Sequence, residues 1–365
     1  MLVSESEEVA TGGQAYRQVL RDSVLTDDSE ALRIVRTVGE RIARAANKPD
    51  YKWEFRVVND PEMVNAFCVP GGKVAVYTGI FPIARDQAGL AVVLGHEIAH
   101  ALLRHSGERM SQAGILGAGM AIAGATGINP QLLQALGLGA SVGLVLPFSR
   151  SQETEADHVG LILMAKAGYD PRAALDVWER MARNEKGAPP AFLSTHPGSE
   201  TRIQQLRSFL PEALAYYQAG SSPIESLPPA ESLDTAAAKS ERELLKRVEA
   251  INRFVEAQNG QRPVVEALAY ELRLNPQVVV QERQQLSIGY GQYAALRGIS
   301  YLGRGAINRV VDDYRRGRSW SEIAQSNGTR LTELMAWIGA VIRTTNNMGR
   351  QLKNQQYQPN SRLRP

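Results

Sequence analysis

Two periodicities of apolar residues organise the first hundred positions. Leu32, Ile34, Val35, Val38, Ile42 and Ala45 form a helical stripe, the second of two helices predicted over residues 4–46. The period then drops to two. Tyr51, Trp53, Phe55 and Val57 alternate with Lys52, Glu54 and Arg56, as in a half-buried strand. Val64–Val69 and Lys73–Thr78 read as two more strands, joined by a tight turn at Pro70-Gly71-Gly72. From Asp86 to Gly95 the chain is apolar with no breaker except Gly, which predicts a buried helix running to about Arg104. The fold class is therefore α+β and mainly helical, with a small antiparallel sheet placed directly before a buried helix. An exposed edge of that sheet, at 65–67 or 73–77, is a place where an extended peptide can add as a strand.

Downstream, the pattern changes twice. Met110 to Ser149 carries no charge and is rich in Gly and Ala, with Asn129-Pro130 splitting it. Each half falls short of, or only just reaches, the roughly 20 apolar residues a membrane helix needs. Two short packed helices, serving as a lid or resting on a membrane surface, are the expectation. Asp170-Pro171 opens a helix through Met181, 187–197 is a loop, and Glu200–Tyr217 is a further helix. A Pro- and Ser-bearing linker is predicted over 219–238, closing a first domain of residues 1–218. Residues 239–350 read as a helical accessory domain and 351–365 as a disordered tail. Within the accessory domain, Trp320–Ala324, Asn327-Gly328 and Leu331–Ile338 look like helix, turn, helix. Any two short packed helices with a Gly turn give that pattern, so it lends a nucleic-acid partner little weight.

Composition narrows the function classes modestly. The chain has 365 residues, ample for two domains, and a formal net charge of +3. From Glu241 onward Lys and Arg outnumber Asp and Glu by 19 to 11, so the basic excess lies in the accessory domain. A solvated Arg-rich helical surface accounts for it. The single cysteine, Cys68, excludes an intrachain disulfide and is expected to pack in a strand. The acidic start, Met1 to Glu8, lacks the basic-then-apolar pattern of a signal peptide. Taken literally this points to the cytoplasm, unless the sequence is trimmed or begins at an internal start.

The chemistry concentrates at His96-Glu97-Ile98-Ala99-His100, which reads H-E-x-x-H inside the predicted buried helix. Residues i and i+4 share a helical face, so His96 and His100 can grip one metal ion, with Glu97 beside it as general base. Hydrolytic zinc needs a third protein ligand and an open position. Glu153 and Asp157, four apart on a later helix, can supply a ligand and an acceptor that fixes a ligating histidine's tautomer. Glu155 points elsewhere. His105, five residues past His100 and about 140° round a continuous helix, is read as structural or solvated, and His158 is given no role.

These segments, together with N-A-F-C-V-P-G-G before and S-T-H-P after, resemble the gluzincin zinc metallopeptidases of the CAAX-prenyl-endopeptidase/HtpX group. The likeness is nearest to the periplasmic BepA-like branch and covers residues 1 to 215. It implies a zincin-type domain with one Zn2+ held by His96, His100 and Glu153, Glu97 as base and Asp157 behind the ligands. It further implies that His196 sits near the metal, as a gate or an oxyanion donor, with the basic Arg202 following. By the same resemblance the protein hydrolyses misfolded or misassembled envelope proteins in the bacterial periplasm. The alternative is a chaperone-like pseudoprotease whose metal is capped by His196.

Overall fold

The computed structural model describes residues 2–111, 148–183, 192, 196, 201–219, 224–257 and 260–356. The chain divides into two compact units, 1–235 and 236–365.

The first unit opens with α1 (Glu5–Arg21) and α2 (Ser29–Ala46). Ser4 and Glu7 form a reciprocal capping box on α1, and the Asp28 side chain accepts from the Ala31 N–H at the start of α2. The expected stripe of α2 turns inward, with Ile34, Val38 and Ile42 fully buried. Three strands follow: β1 (Glu54–Val58), β2 (Ala66–Val69) and β3 (Lys73–Tyr77), in the order β1-β3-β2. β2 and β3 form the expected antiparallel hairpin, with Gly71 and Gly72 at φ of 90° and 82° making its turn. β1 instead pairs with β3 in parallel, from Glu54 opposite Lys73 to Val58 opposite Tyr77, so the sheet is mixed rather than wholly antiparallel. Alternating side chains specify which face is buried, not the direction of the partner strand. In consequence Lys73–Tyr77 is the central strand and not a free edge; β2 lies at one side of the sheet.

After the one-turn α3 (Phe81–Ala84), α4 (Gln87–Leu102) carries the H-E-x-x-H run. Asp86 caps it through the Gly89 N–H at 2.9 Å, and every residue from Gln87 to Ala101 is buried. Burial of Leu90, Leu94 and Ile98 contributes about 1.5–3 kcal/mol each as an upper bound. α5 (Arg150–Lys166) begins at a second capping box, Ser149 with Gln152, and packs on α4. The two backbones meet where a Cβ on Gly95 would stand 2.8 Å from the Gly160 carbonyl oxygen, and a Cβ on Gly160 2.9 Å from the His96 nitrogen. Only two glycines admit that approach, and it brings the acidic face of α5 against the histidines of α4. α6 (Ala173–Arg183) and α7 (Arg202–Tyr216) complete the surround.

The stretch expected as a linker over 219–238 behaves differently where it is described. The Gln87 N–H donates to Glu225 O at 3.0 Å and the Leu227 N–H to Arg85 O at 2.8 Å. Leu227 and Leu233 join the first unit's core, and the short α8 (Ala230–Leu233) packs there. Two large apolar side chains, Leu227 and Leu233, sufficed to dock it.

The second unit is helical: α9 (Ala236–Glu256), α10 (Gln261–Leu272), α11 (Pro276–Leu286), α12 (Tyr290–Leu302), α13 (Ile307–Arg315), α14 (Trp320–Ser326) and α15 (Leu331–Gln356). Leu244, Leu268, Tyr293, Ile299, Ile323 and Ile338 lie at its core. The expected helix-turn-helix is present as α14, Asn327-Gly328 and α15, but α15 runs on to Gln356, past the boundary at 350. Most of the expected tail, 357–365, lies outside the described residues, as does most of the uncharged run between 110 and 149. Among the described residues no helix is long and apolar enough to cross a membrane.

Candidate metal centre

Four side chains converge beneath the crossing of α4 and α5. His96, His100, Glu153 and His196 are all buried, and one ligand atom from each lies within 4.8 Å of the other three. His96 Nε2 is 3.1 Å from His100 Nε2 and 3.2 Å from His196 Nδ1. Glu153 places Oε1 3.3 Å from His100 Nε2 and 3.0 Å from His196 Nδ1, and Oε2 3.5 Å from His96 Nε2. Ligands about 2.0–2.1 Å from a tetrahedral zinc stand about 3.3 Å apart, so the spacing fits that ion. The donor set, three imidazoles and one carboxylate, suits it as well.

Electrostatics favours the ligating form of His100 and Glu153. Burial pushes His100 well below the usual histidine range, so its imidazole is neutral. Burial opposes ionisation of Glu153, but the contacts with His100 and His196 prevail and hold it well below the usual carboxylate range. His96 is also desolvated, yet the Asp157 hydrogen bond and the charges of Glu153 and Asp157 raise it. Its Nδ1 is 2.9 Å from Asp157 Oδ1, which fixes the tautomer that leaves Nε2 free to ligate.

Arg202, from the first turn of α7, braces the acids from behind. Its Nη1 donates to Glu153 Oε2 at 3.0 Å and its Nη2 to Asp157 Oδ1 at 2.7 Å. The guanidinium lies 3.4 Å above the Trp178 ring centroid. One buried cation thus spans two buried carboxylates, and Asp157 stays ionised against desolvation chiefly through Arg202.

Glu97 faces the same space but is not among the converging ligand atoms. Burial raises its pKa, and its buried Oε1 makes no hydrogen bond. The atom closest to a partner role is His196 Nε2, at 3.4 Å. His196 therefore turns Nδ1 to the ligand cluster and Nε2 to Glu97. Its ring stacks on Phe192 with centroids 4.4 Å apart, and Phe148 lies 5.0 Å to another side. The Phe192 N–H donates to Val64 O just before β2 at 3.0 Å, tying His196's neighbourhood to the sheet.

All seven residues singled out in the sequence, His96, Glu97, His100, Glu153, Asp157, His196 and Arg202, meet here. Reading the sequence missed Phe148, which stacks on His100 at 3.8 Å, as well as Trp178 and Phe192. His105 lies outside the ligand cluster and is structural, but its contact was not foreseen: it is buried, with Nδ1 2.9 Å from His100 Nδ1, and the exposed Glu155 reaches its Nε2 at 3.3 Å. His158 lies outside the centre, paired with Glu212. Cys68 packs in β2, its thiol pushed up by burial and by the Glu97 charge.

A buried H-E-x-x-H helix with a carboxylate ligand from a second helix defines a zincin-type metallopeptidase centre. Comparison with known proteins agrees: residues 30–210 match the model of peptidase family M48. The chain is 37% identical over 239 residues to the mitochondrial metalloendopeptidase OMA1 of Saccharomyces cerevisiae, covering 59% of this chain and 67% of the relative. To its counterpart from Schizosaccharomyces pombe the identity is 42% over 205 residues, covering 54% and 60%. The beta-barrel assembly-enhancing protease of Yersinia pestis is 28% identical over 222 residues, covering 56% and 44%. The chain belongs to peptidase family M48. It spans 60% of the Schizosaccharomyces pombe relative's length and less than half of the bacterial one's.

Proposed function

We propose that this protein is a zinc-dependent endopeptidase acting on unfolded or misassembled proteins. The observation that carries the reading is the tetrahedral spacing of four buried donors beside a buried carboxylate with an unbonded oxygen. His96, His100 and Glu153 are the ligands, and Arg202 and Asp157 keep them aligned. Zinc bound there supplies a Lewis acid for the scissile carbonyl and acidifies a water. Glu97 Oε1 takes the proton from that water and delivers it to the leaving amine. Its raised pKa brings it closer to a proton carrier's working range.

His196 is assigned the gate. With Nδ1 toward the other donors and Nε2 toward Glu97, it would complete the ligand set of a bound zinc in place of water while facing the base. A resting enzyme so arranged is slow. Misassembled envelope proteins are the proposed substrates, in line with the beta-barrel assembly role in the bacterial relative's name; the yeast relatives are named as mitochondrial. A chaperone-like binder with a capped metal is the competing class.

Cleavage of unfolded casein, with and without a chelator and with zinc restored, separates the classes. Chelation should abolish cleavage and zinc restore it; no cleavage by zinc-loaded wild type or by His196→Ala contradicts the peptidase reading. His196→Ala should raise the rate several-fold at equal zinc content. A fall would assign His196 to the oxyanion instead, and an unchanged rate would remove it from the mechanism.

A further inference from the structure

The two histidine ligands are anchored in different ways. His96 has a carboxylate behind it, Asp157, itself clamped by Arg202. Among the described residues, His100 has no carboxylate against its outer nitrogen; it has a second imidazole, His105. We propose that His105 is a positioning residue that holds His100 in its ligating tautomer through a proton-ordered chain ending on Glu155. The proposal rests on the zinc reading above.

The chain is built by a deliberate reversal of the backbone. α4 ends at Leu102, and Arg104 adopts φ of +58°, a left-handed conformation unusual for a side-chain-bearing residue. That turn swings His105 back over His100 instead of carrying it 140° round a continuing helix. Two contacts hold the reversal. The Arg104 guanidinium bonds to the buried Glu8 of α1 and to Val3 O at 3.1 Å. At Gly107 a Cβ would stand 2.0 Å from Glu8 Oε1, so glycine lets the following turn settle against the same carboxylate.

The hydrogen count then admits one arrangement. A neutral imidazole that ligates through Nε2 carries its proton on Nδ1. His100 Nδ1–H therefore donates to His105 Nδ1, 2.9 Å away. His105 must accept there, so its own proton sits on Nε2, which faces Glu155 Oε2 at 3.3 Å. The other His105 tautomer would set two N–H groups against each other. Glu155 has its side chain 58% exposed, so it selects this tautomer while open to water, and water can replace it. The weight of the chain falls on His105, which is 1% exposed and leaves no such substitute.

Zinc affinity, read by competition with a chelator of known strength on the full-length protein, tests this with three variants. His105→Leu fills the space without an acceptor and should weaken zinc binding by about 10–100-fold. His105→Asn places an amide oxygen close to where Nδ1 stands and should stay within about threefold of wild type. His105→Gln carries its amide past that point and should fall with Leu; it also serves if the Leu variant does not fold, as judged by circular dichroism of the metal-free protein. The visible band of the Co2+-substituted protein should shift for Leu and Gln and not for Asn. Equal affinity of wild type and His105→Leu, or Asn no better than Leu and Gln, overturns the proposal. Failure of wild type itself to bind zinc would overturn the zinc reading, a distinguishable outcome.

Discussion

Both units of this chain bury polar side chains, and they use them in opposite ways. In the first unit His96, Glu97, His100, Glu153, Asp157, His196 and Arg202 all lie at 5% exposure or less, and His96, His100, Glu153 and His196 bring a ligand atom each to one point. In the second, buried polar groups are scattered and bond to backbone or to side chains nearby. Glu241 Oε1 accepts from the Ser321 N–H at 2.7 Å, the Thr345 hydroxyl donates to Val341 O at 2.8 Å, and Asn327 Nδ2 donates to Ile323 O at 2.9 Å and Asp313 Oδ2 at 3.2 Å. Burial of polarity is costly in either place. Where it is dispersed, hydrogen bonds to nearby groups offset most of that cost. Where it is concentrated, four of the side chains offer ligand atoms to one point, and the proposed function sits there.

The comparison breaks most visibly at a ligand. His100→Ala should abolish stoichiometric zinc, a loss of roughly a thousandfold in affinity, because it leaves His96 and Glu153 with only the gating His196 to complete the donor set. Metal analysis after dialysis reads it, and near-full occupancy would remove His100 from the centre. The smallest expected effect is at the dispersed end. Asn327→Ala should destabilise the second unit by about 1–3 kcal/mol, the range for losing a buried hydrogen-bonded group. Hydrogen exchange should speed up in residues 310–338 while zinc content stays at the wild-type value. A change in zinc content with that variant would mean the two uses of polarity are not separate.

Much of this was legible in the sequence. The ligands of α4 stood out because i, i+4 histidines interrupted an apolar run, and Glu153 and Asp157 because their spacing gave them one face. The stripe of α2 and the hairpin at Pro70-Gly71-Gly72 followed from periodicity and turn chemistry. What stayed hidden depends on contacts between segments distant in sequence. The parallel docking of β1 on β3 leaves no trace in alternation. The glycine pair Gly95 and Gly160, 65 positions apart, reads as two isolated breakers until the helices cross. The contact of His105 with His100 stayed hidden because a left-handed residue, Arg104, ends the helix early, and its stabilising partner Glu8 is nearly a hundred residues upstream. The docking of Leu227 and Leu233 was masked by a linker-like composition.

The central claim is that a buried carboxylate beside a metal performs the proton transfer of peptide hydrolysis. Glu97→Gln tests it most directly, since the amide is nearly isosteric but cannot take the water's proton. Zinc content and cleavage of an unfolded protein are measured on the same sample. The account predicts wild-type zinc occupancy with cleavage reduced by at least a hundredfold. Cleavage at the wild-type rate with zinc in place would contradict it.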